Sequence, residues 1–378
     1  MEVKLPINLL PEIRYECWTY QRMAIIRAYP EFDAWFVHHL NSLCITSEYD
    51  CDFGWFGKKY NIVSHYEDIL EIEEKLYKEY DELSIIPEIC RRIDEHTYTI
   101  IDVDYSKWQD DLNEIFVAQL LVYGYDDEKQ VFYTPSPTGG WHEATVPWEK
   151  FIKAFQVRQA YTLEQKRAST ARQNPYPILF LKPKLQVRPQ VQLSRLYNDL
   201  KAALDVADVA YHFENKEIKD FYFYQGILGV CTGLTELMQR VYHGEFEIGS
   251  LGYDHGFASG YCKMLEYNTL FLACLKYVDV KFDLHISHEI YRDFEEVLVL
   301  NQKLRNSVIM YLHDGERARL ESGLQYIREL KSKERHVFLE LVELIEKYFI
   351  ESILLKDSSL NFRVCILNIE KKLCFFDL

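Results

Sequence analysis

Cys17 has the setting a nucleophile needs. It follows an extended stretch, Tyr15-Glu16-Cys17-Trp18, and heads a helix predicted to run through Trp18, Ile25 and Ile26 until Pro30 stops it. A thiol reacts as the thiolate, which a helix N-terminus and a neighbouring imidazole favour. The imidazole must in turn be oriented by a third group. His142, in Gly139-Gly140-Trp141-His142-Glu143, is a loop histidine that could fold back toward such a thiol. Asp102 and Asp104 alternate on one predicted strand and share a face. They suit either a carboxylate pair or a strand end facing solvent. Metal chemistry is poorly served. His38 and His39 are adjacent rather than four apart, and His285 and His288 lack a third ligand. Asp50, Asp52 and Asp254-His255 read as turn and capping residues, so no metal or cofactor is expected.

The elements that must position these residues fall into two textures. In the first, helices are expected from Glu31 to Leu43, with Phe32, Trp35, Phe36, Leu40 and Leu43 on one stripe, and from Tyr66 to Tyr80. A β-rich run follows at Tyr98 to Asp104, then a longer apolar run at Phe116 to Tyr125. A turn at Asp126 to Lys129 leads to a partner strand at Gln130 to Thr134. Glu143 to Val146 forms a further strand, Trp148 to Phe155 a short helix and Ile178 to Leu181 a last strand. Helices followed by an antiparallel sheet give an α+β order, and no glycine-rich phosphate loop suggests otherwise. In the second texture, Val191 to Val206, Lys219 to Tyr242, Phe257 to Val278, Ser287 to His313 and Gly315 to Ile350 carry helical apolar spacing, as in a bundle. The expected domains are therefore 1–189 (α+β) and 190–355 (all-helical), with 356–378 a tail whose Phe362 to Phe376 segment suits a small hairpin.

Composition narrows the function classes. The chain has 378 residues, 59 Asp plus Glu against 43 Lys plus Arg, and a formal net charge of −16. Such a surface is repelled by phosphate backbones and anionic lipid, so neither nucleic acid nor membrane is an expected partner. Nine scattered cysteines without a C-x-x-C pair argue against a zinc ribbon or disulfide framework. The basic N-terminal signal pattern and long apolar runs are missing, which suggests a reducing cytoplasm.

The order of features also carries a resemblance. Cys17 at a helix start is followed by Leu120-Leu121-Val122-Tyr123-Gly124-Tyr125-Asp126, then Val131-Phe132-Tyr133, then the helix at Trp148 to Phe155. This arrangement resembles the papain-like fold of bacteriocin-processing cysteine peptidases, and more narrowly the butirosin biosynthesis protein H N-terminal domain family. The resemblance covers residues 8–160 and the helical half only loosely. It implies a papain-like first domain, a helical second one and a place in bacterial secondary-metabolite biosynthesis, often of nonribosomal peptides. It also implies acyl transfer from a carrier-protein thioester, with an acyl or peptidyl carrier protein or a biosynthetic enzyme as partner.

In that family the base lies six residues before the Gly of the Gly-Tyr-Asp turn, which here is Ala118, flanked by Val117 and Gln119. The orienting Asp lies near Thr134 to Ser136, where the sequence reads Thr-Pro-Ser, so Ser136 marks a lost acid. Cys17 is then either a nucleophile without its base, with His142 as the remaining substitute, or simply a buried small hydrophobe. The resemblance implies either a degenerate, non-hydrolytic binder or an acyltransferase using Cys17. A peptidase is disfavoured, because amide hydrolysis needs both an activated thiolate and a general acid. A papain-like arrangement would bring the Cys17 sulfur within a side-chain length of Ala118. Finally, Lys166 to Arg188 contains Lys166, Arg167, Arg172, Lys182, Lys184 and Arg188 with no acid. This strip suits either a solvated linker flanking the Ile178 strand or a surface for an acidic carrier protein, with Lys182, Lys184 and Arg188 as candidate contacts.

Overall fold

The computed structural model describes residues 1–12, 17–37, 43–46, 51–53, 66–104, 117–136, 141–156, 178–205, 211–215, 218–245 and 254–356. In chain order the first elements are β1 (Glu2–Lys4), α1 (Cys17–Ile26), α2 (Asp33–Val37), β2 (Leu43–Thr46), β3 (Cys51–Phe53) and β4 (Leu70–Lys75). Next come α3 (Ile85–Asp94), β5 (Tyr98–Asp104), β6 (Val117–Val122), β7 (Gly124–Asp126), β8 (Val131–Ser136) and β9 (His142–Pro147). After α4 (148–156) follow β10 (Ile178–Pro183), α5 (Leu193–Asp205), β11 (Tyr211–Asn215) and β12 (Ile218–Gln225). Four helices close the series: α6 (Gly226–His243), α7 (Asp254–Phe282), α8 (His288–Asp314) and α9 (Arg317–Lys356). The chain is mixed α+β, with antiparallel sheets concentrated in its first half and long helices in its second.

Two compact units divide it: Met1–Phe32 with Val63–Arg188, and Asp33–Ile62 with Pro189–Leu378. Unit 1 contains two four-stranded sheets, ordered β4-β10-β5-β6 and β1-β7-β8-β9. Tyr123 alone separates β6 from β7, and its amide donates to the Tyr133 carbonyl at 3.1 Å, so the run continues from one sheet into the next. Phe132 of β8 meets Phe151 of α4 edge to face, and Phe151, Phe155 and Tyr77 then stack in sequence, with centroid separations of 5.0, 6.5 and 5.5 Å along the series. On α3, Ile85, Ile89 and Ile93 form a buried i, i+4, i+8 stripe. Asp81 accepts from the Ser84 amide at 2.8 Å just before this helix starts.

In unit 2, β11-β12-β2-β3 form a third antiparallel sheet. α6 lies against it so closely that a Cβ on Gly233 would stand 2.5 Å from Ile45 Cγ2. The long helices pack in aromatic layers, with Phe271 of α7 5.1 Å from both Phe294 of α8 and Phe338 of α9. Ser287 caps α8 by accepting from the Ile290 amide at 3.2 Å.

Several sequence expectations require correction. Tyr66 to Tyr80 is not a helix, because Leu70 and Ile72 alternate with Glu71 and Glu73 and the segment pairs with β10 as β4. Its helical spacing loses to strand pairing. The helix expected from Glu31 to Leu43 ends its described part at Val37, and Leu43 instead opens β2. Lys219 to Tyr242 begins as a strand. The aromatic run Phe221 to Tyr224 favours β structure, and Gly226, at φ +71°, makes the switch into α6. The second half is therefore not all-helical. Residues 33–62, expected in the first domain, group with the second because β2 pairs with β12. The expected tail hairpin at Phe362 to Phe376 lies outside the described residues.

Candidate functional site

Cys17 is the first residue of α1; its side chain lies outside the description. From Thr19 onward α1 is buried on every side, including three polar residues, Thr19, Gln21 and Arg22, each 2% exposed or less. A helix sheathed all round must find partners for such groups. Gln21 Nε2 donates to the backbone carbonyl of Gln119 on β6, and Arg22 Nη1 lies 3.5 Å from Gln119 Oε1. The Arg22 guanidinium also sits 5.9 Å from the centroid of the Tyr66 ring. Thr19 Oγ1 and Gln21 Oε1 are buried without a hydrogen-bond partner.

The β5–β6 register sets Asp102 opposite Gln119, Val103 opposite Ala118 and Asp104 opposite Val117. Paired residues share a face, so Asp102, Gln119 and Asp104 lie on one side of the ladder and Ala118 with Val103 on the other. Asp102, Asp104 and Gln119 are all buried, so the reading of the aspartates as a solvent-facing strand end is corrected. The Tyr77 hydroxyl extends the ladder at Asp102, donating to its carbonyl at 2.9 Å and accepting from its amide at 2.7 Å. α1 therefore meets β6 at Gln119 through the contacts of Gln21 and Arg22. The half-buried Ala118, the expected base position, projects from the alternate face.

Ser136 and His142 are direct cross-strand partners at the end of the β8–β9 hairpin. Trp141, next to His142, stacks on Tyr20 at 3.4 Å between ring centroids with 12° between planes. Tyr20 lies three residues into α1 from Cys17. The expected acid position, Ser136, and the candidate histidine, His142, are thus brought together, beside a ring carried by the helix of Cys17. Glu143 does not serve as an orienting acid for His142. It accepts from Lys4 Nζ at 2.8 Å and the Tyr123 hydroxyl at 2.6 Å. Lys4, then Tyr123, holds its carboxyl below the usual range.

The basic strip lies elsewhere, at the β4–β10 end of its sheet, and folding brings groups distant in sequence to it. Lys182 stands opposite Glu71, Lys184 Nζ donates to the Glu67 carbonyl at 2.5 Å, and Arg188 pairs with Glu31 at 3.2 Å. Lys166, Arg167 and Arg172 lie outside the described residues, as do His38, His39 and Asp50. His285 precedes α8 in a left-handed conformation, 3.6 Å from Asp283, so it does not share a helix face with His288. Among the described residues no cluster is placed to hold a metal ion, and no helix is long and apolar enough to cross a membrane.

Sequence reasoning missed Arg22 and undervalued Gln119. The available signal was Thr-x-Gln-Arg inside an otherwise apolar helix. Neither protein-family models nor curated proteins match the chain.

Proposed function

We propose that this chain is a degenerate, non-hydrolytic member of the papain-like group resembling butirosin biosynthesis protein H. It acts in the bacterial cytoplasm in secondary-metabolite biosynthesis of the nonribosomal peptide type. There it binds an acyl- or peptidyl-carrier intermediate, or a partner enzyme, without cleaving it. The observation that carries this reading is the contact between α1 and β6. Where a thiol protease needs an imidazole, the helix sets its own Gln21 and buried Arg22 against Gln119 of β6. Among the described residues of α1, β5 and β6 there is no histidine. A glutamine amide cannot take a thiol proton, so Cys17 would depend on the helix end, which contributes only ~0.3–1 kcal/mol to an exposed charge.

A second reading, an acyltransferase using Cys17 on a thioester, draws on the Tyr20–Trp141 stack, which ties the His142 end of the hairpin to α1. Incubation with an acylated carrier protein separates the two. The first reading expects a complex by gel filtration with the thioester intact. Acyl-enzyme on Cys17, lost in Cys17→Ala and weakened in His142→Ala, would establish the second.

A further inference from the structure

In unit 2 the bundle core holds a polar cluster that the proposed binding role does not use. Glu334 of α9 is fully buried. Its Oε1 accepts from Asn268 Nδ2 of α7 at 2.5 Å, and its Oε2 lies 3.7 Å from Cys231 Sγ of α6. Cys231 Sγ is also 3.4 Å from Met264 Sδ of α7.

The Asn268 amide donates to Oε1 and the Cys231 thiol to Oε2, so among the described residues the carboxyl meets two neutral donors. Neither supplies a positive charge, and an ionised Glu334 would set a bare charge in the core. A neutral carboxyl avoids that cost.

We propose that Glu334 is a resident carboxylic acid whose proton keeps this fully buried cluster uncharged, making it a protonation-dependent clasp across α6, α7 and α9. Alkali breaks it by moving that proton to a solvent base, leaving a carboxylate that the three helices must open to hydrate.

Among the described residues, no cationic side chain acts on Glu334. Desolvation is the main influence on Glu334 and raises its pKa to about 8; Asn268 and Cys231 lower it only in part. From α7, Tyr267 is fully buried, and burial pushes its phenol further up, so it stays neutral. From α5, Asp199 acts on Tyr267, and burial raises its own carboxyl to about 6. On α9, Lys331 is directed to Thr232 Oγ1 at 2.7 Å. On the α8 side, Glu296 pairs with Lys333 at the exposed rim at 2.6 Å.

The sign follows from linkage. The folded pKa exceeds the unfolded value of 4.5, so the folded state binds the extra proton between the two. Stability from this group is fully present below 4.5, falls as pH rises to about 8, and is then level.

The test is the infrared carbonyl band of protonated carboxylic acid in the full chain, with thermal unfolding of wild type and Glu334→Gln across the same pH range. One acid band should persist at pH 7, after Asp199 has largely ionised, and titrate with a midpoint near 8. The unfolding midpoint of Glu334→Gln, relative to wild type, should rise with pH over that window and then level. If Glu334→Gln does not fold, the wild-type infrared titration alone decides. No acid band at pH 7, or identical pH profiles for the two proteins, would overturn the proposal.

Discussion

Two buried polar clusters, one in each unit, solve the same problem differently. In unit 1, α1 carries a guanidinium into the core, and Asp102 and Asp104 are buried on the same ladder face as its contact, Gln119. In unit 2, the Glu334 carboxyl meets an amide and a thiol. The first cluster holds a cationic group as well as two acids. The second holds one acid beside two neutral donors, and neutralises itself by keeping a proton. The difference teaches that what a buried carboxyl costs depends on its neighbours as well as on its depth.

The largest effect should come from Arg22→Met. Removing the cation leaves the aspartates of unit 1 in a core without it, at a cost of about 3–5 kcal/mol in urea unfolding. A loss below about 1 kcal/mol would show that Arg22 does not balance them. Glu334→Gln should do the opposite. Linkage over the pKa difference gives a gain of roughly 3 kcal/mol at pH 7, shrinking toward zero near pH 4.5. Equal destabilisation by both changes would erase the contrast.

Asn301, fully buried on α8, sharpens the comparison. Both polar atoms of its side-chain amide lack a hydrogen-bond partner. Asn301→Leu should stabilise the protein by about 1–3 kcal/mol in the same unfolding assay, whereas a loss would mean the amide has a bound partner. The smallest effect concerns the β4–β10 end. Lys182, Lys184 and Arg188 changed together to Glu should weaken carrier-protein binding at low salt, and the difference should fade as salt rises. Unchanged binding would remove the strip from the proposed interface.

Strand and helix periods made much of this architecture legible. The β-rich run at Tyr98 to Asp104, the turn at Asp126 to Lys129 and the long helices after Phe257 all show in the pattern of residues. What failed did so for tertiary reasons. Leu70 and Ile72 fit a helix stripe until β10 pairs with them, and β2 belongs with a strand far along the chain. At the candidate site, the helix start at Cys17 and the change to strand at β6 were readable. That Gln119 meets α1 was not, because a one-residue shift along a strand exchanges its faces. The acid-free run around Lys182 looked isolated because Glu71 and Glu31 approach it only through folding.

The central claim is that α1 and β6 do not build a thiol base. Its most direct measurement is the rate of Cys17 alkylation by iodoacetamide in the native chain as a function of pH, followed by peptide mapping. Cys17 should react no faster than a free cysteine at neutral pH, with an apparent pKa at or above the ordinary ~8.5. Rapid, selective labelling of Cys17 with a midpoint well below neutrality, together with a burst of acyl-enzyme from a thioester, would contradict it.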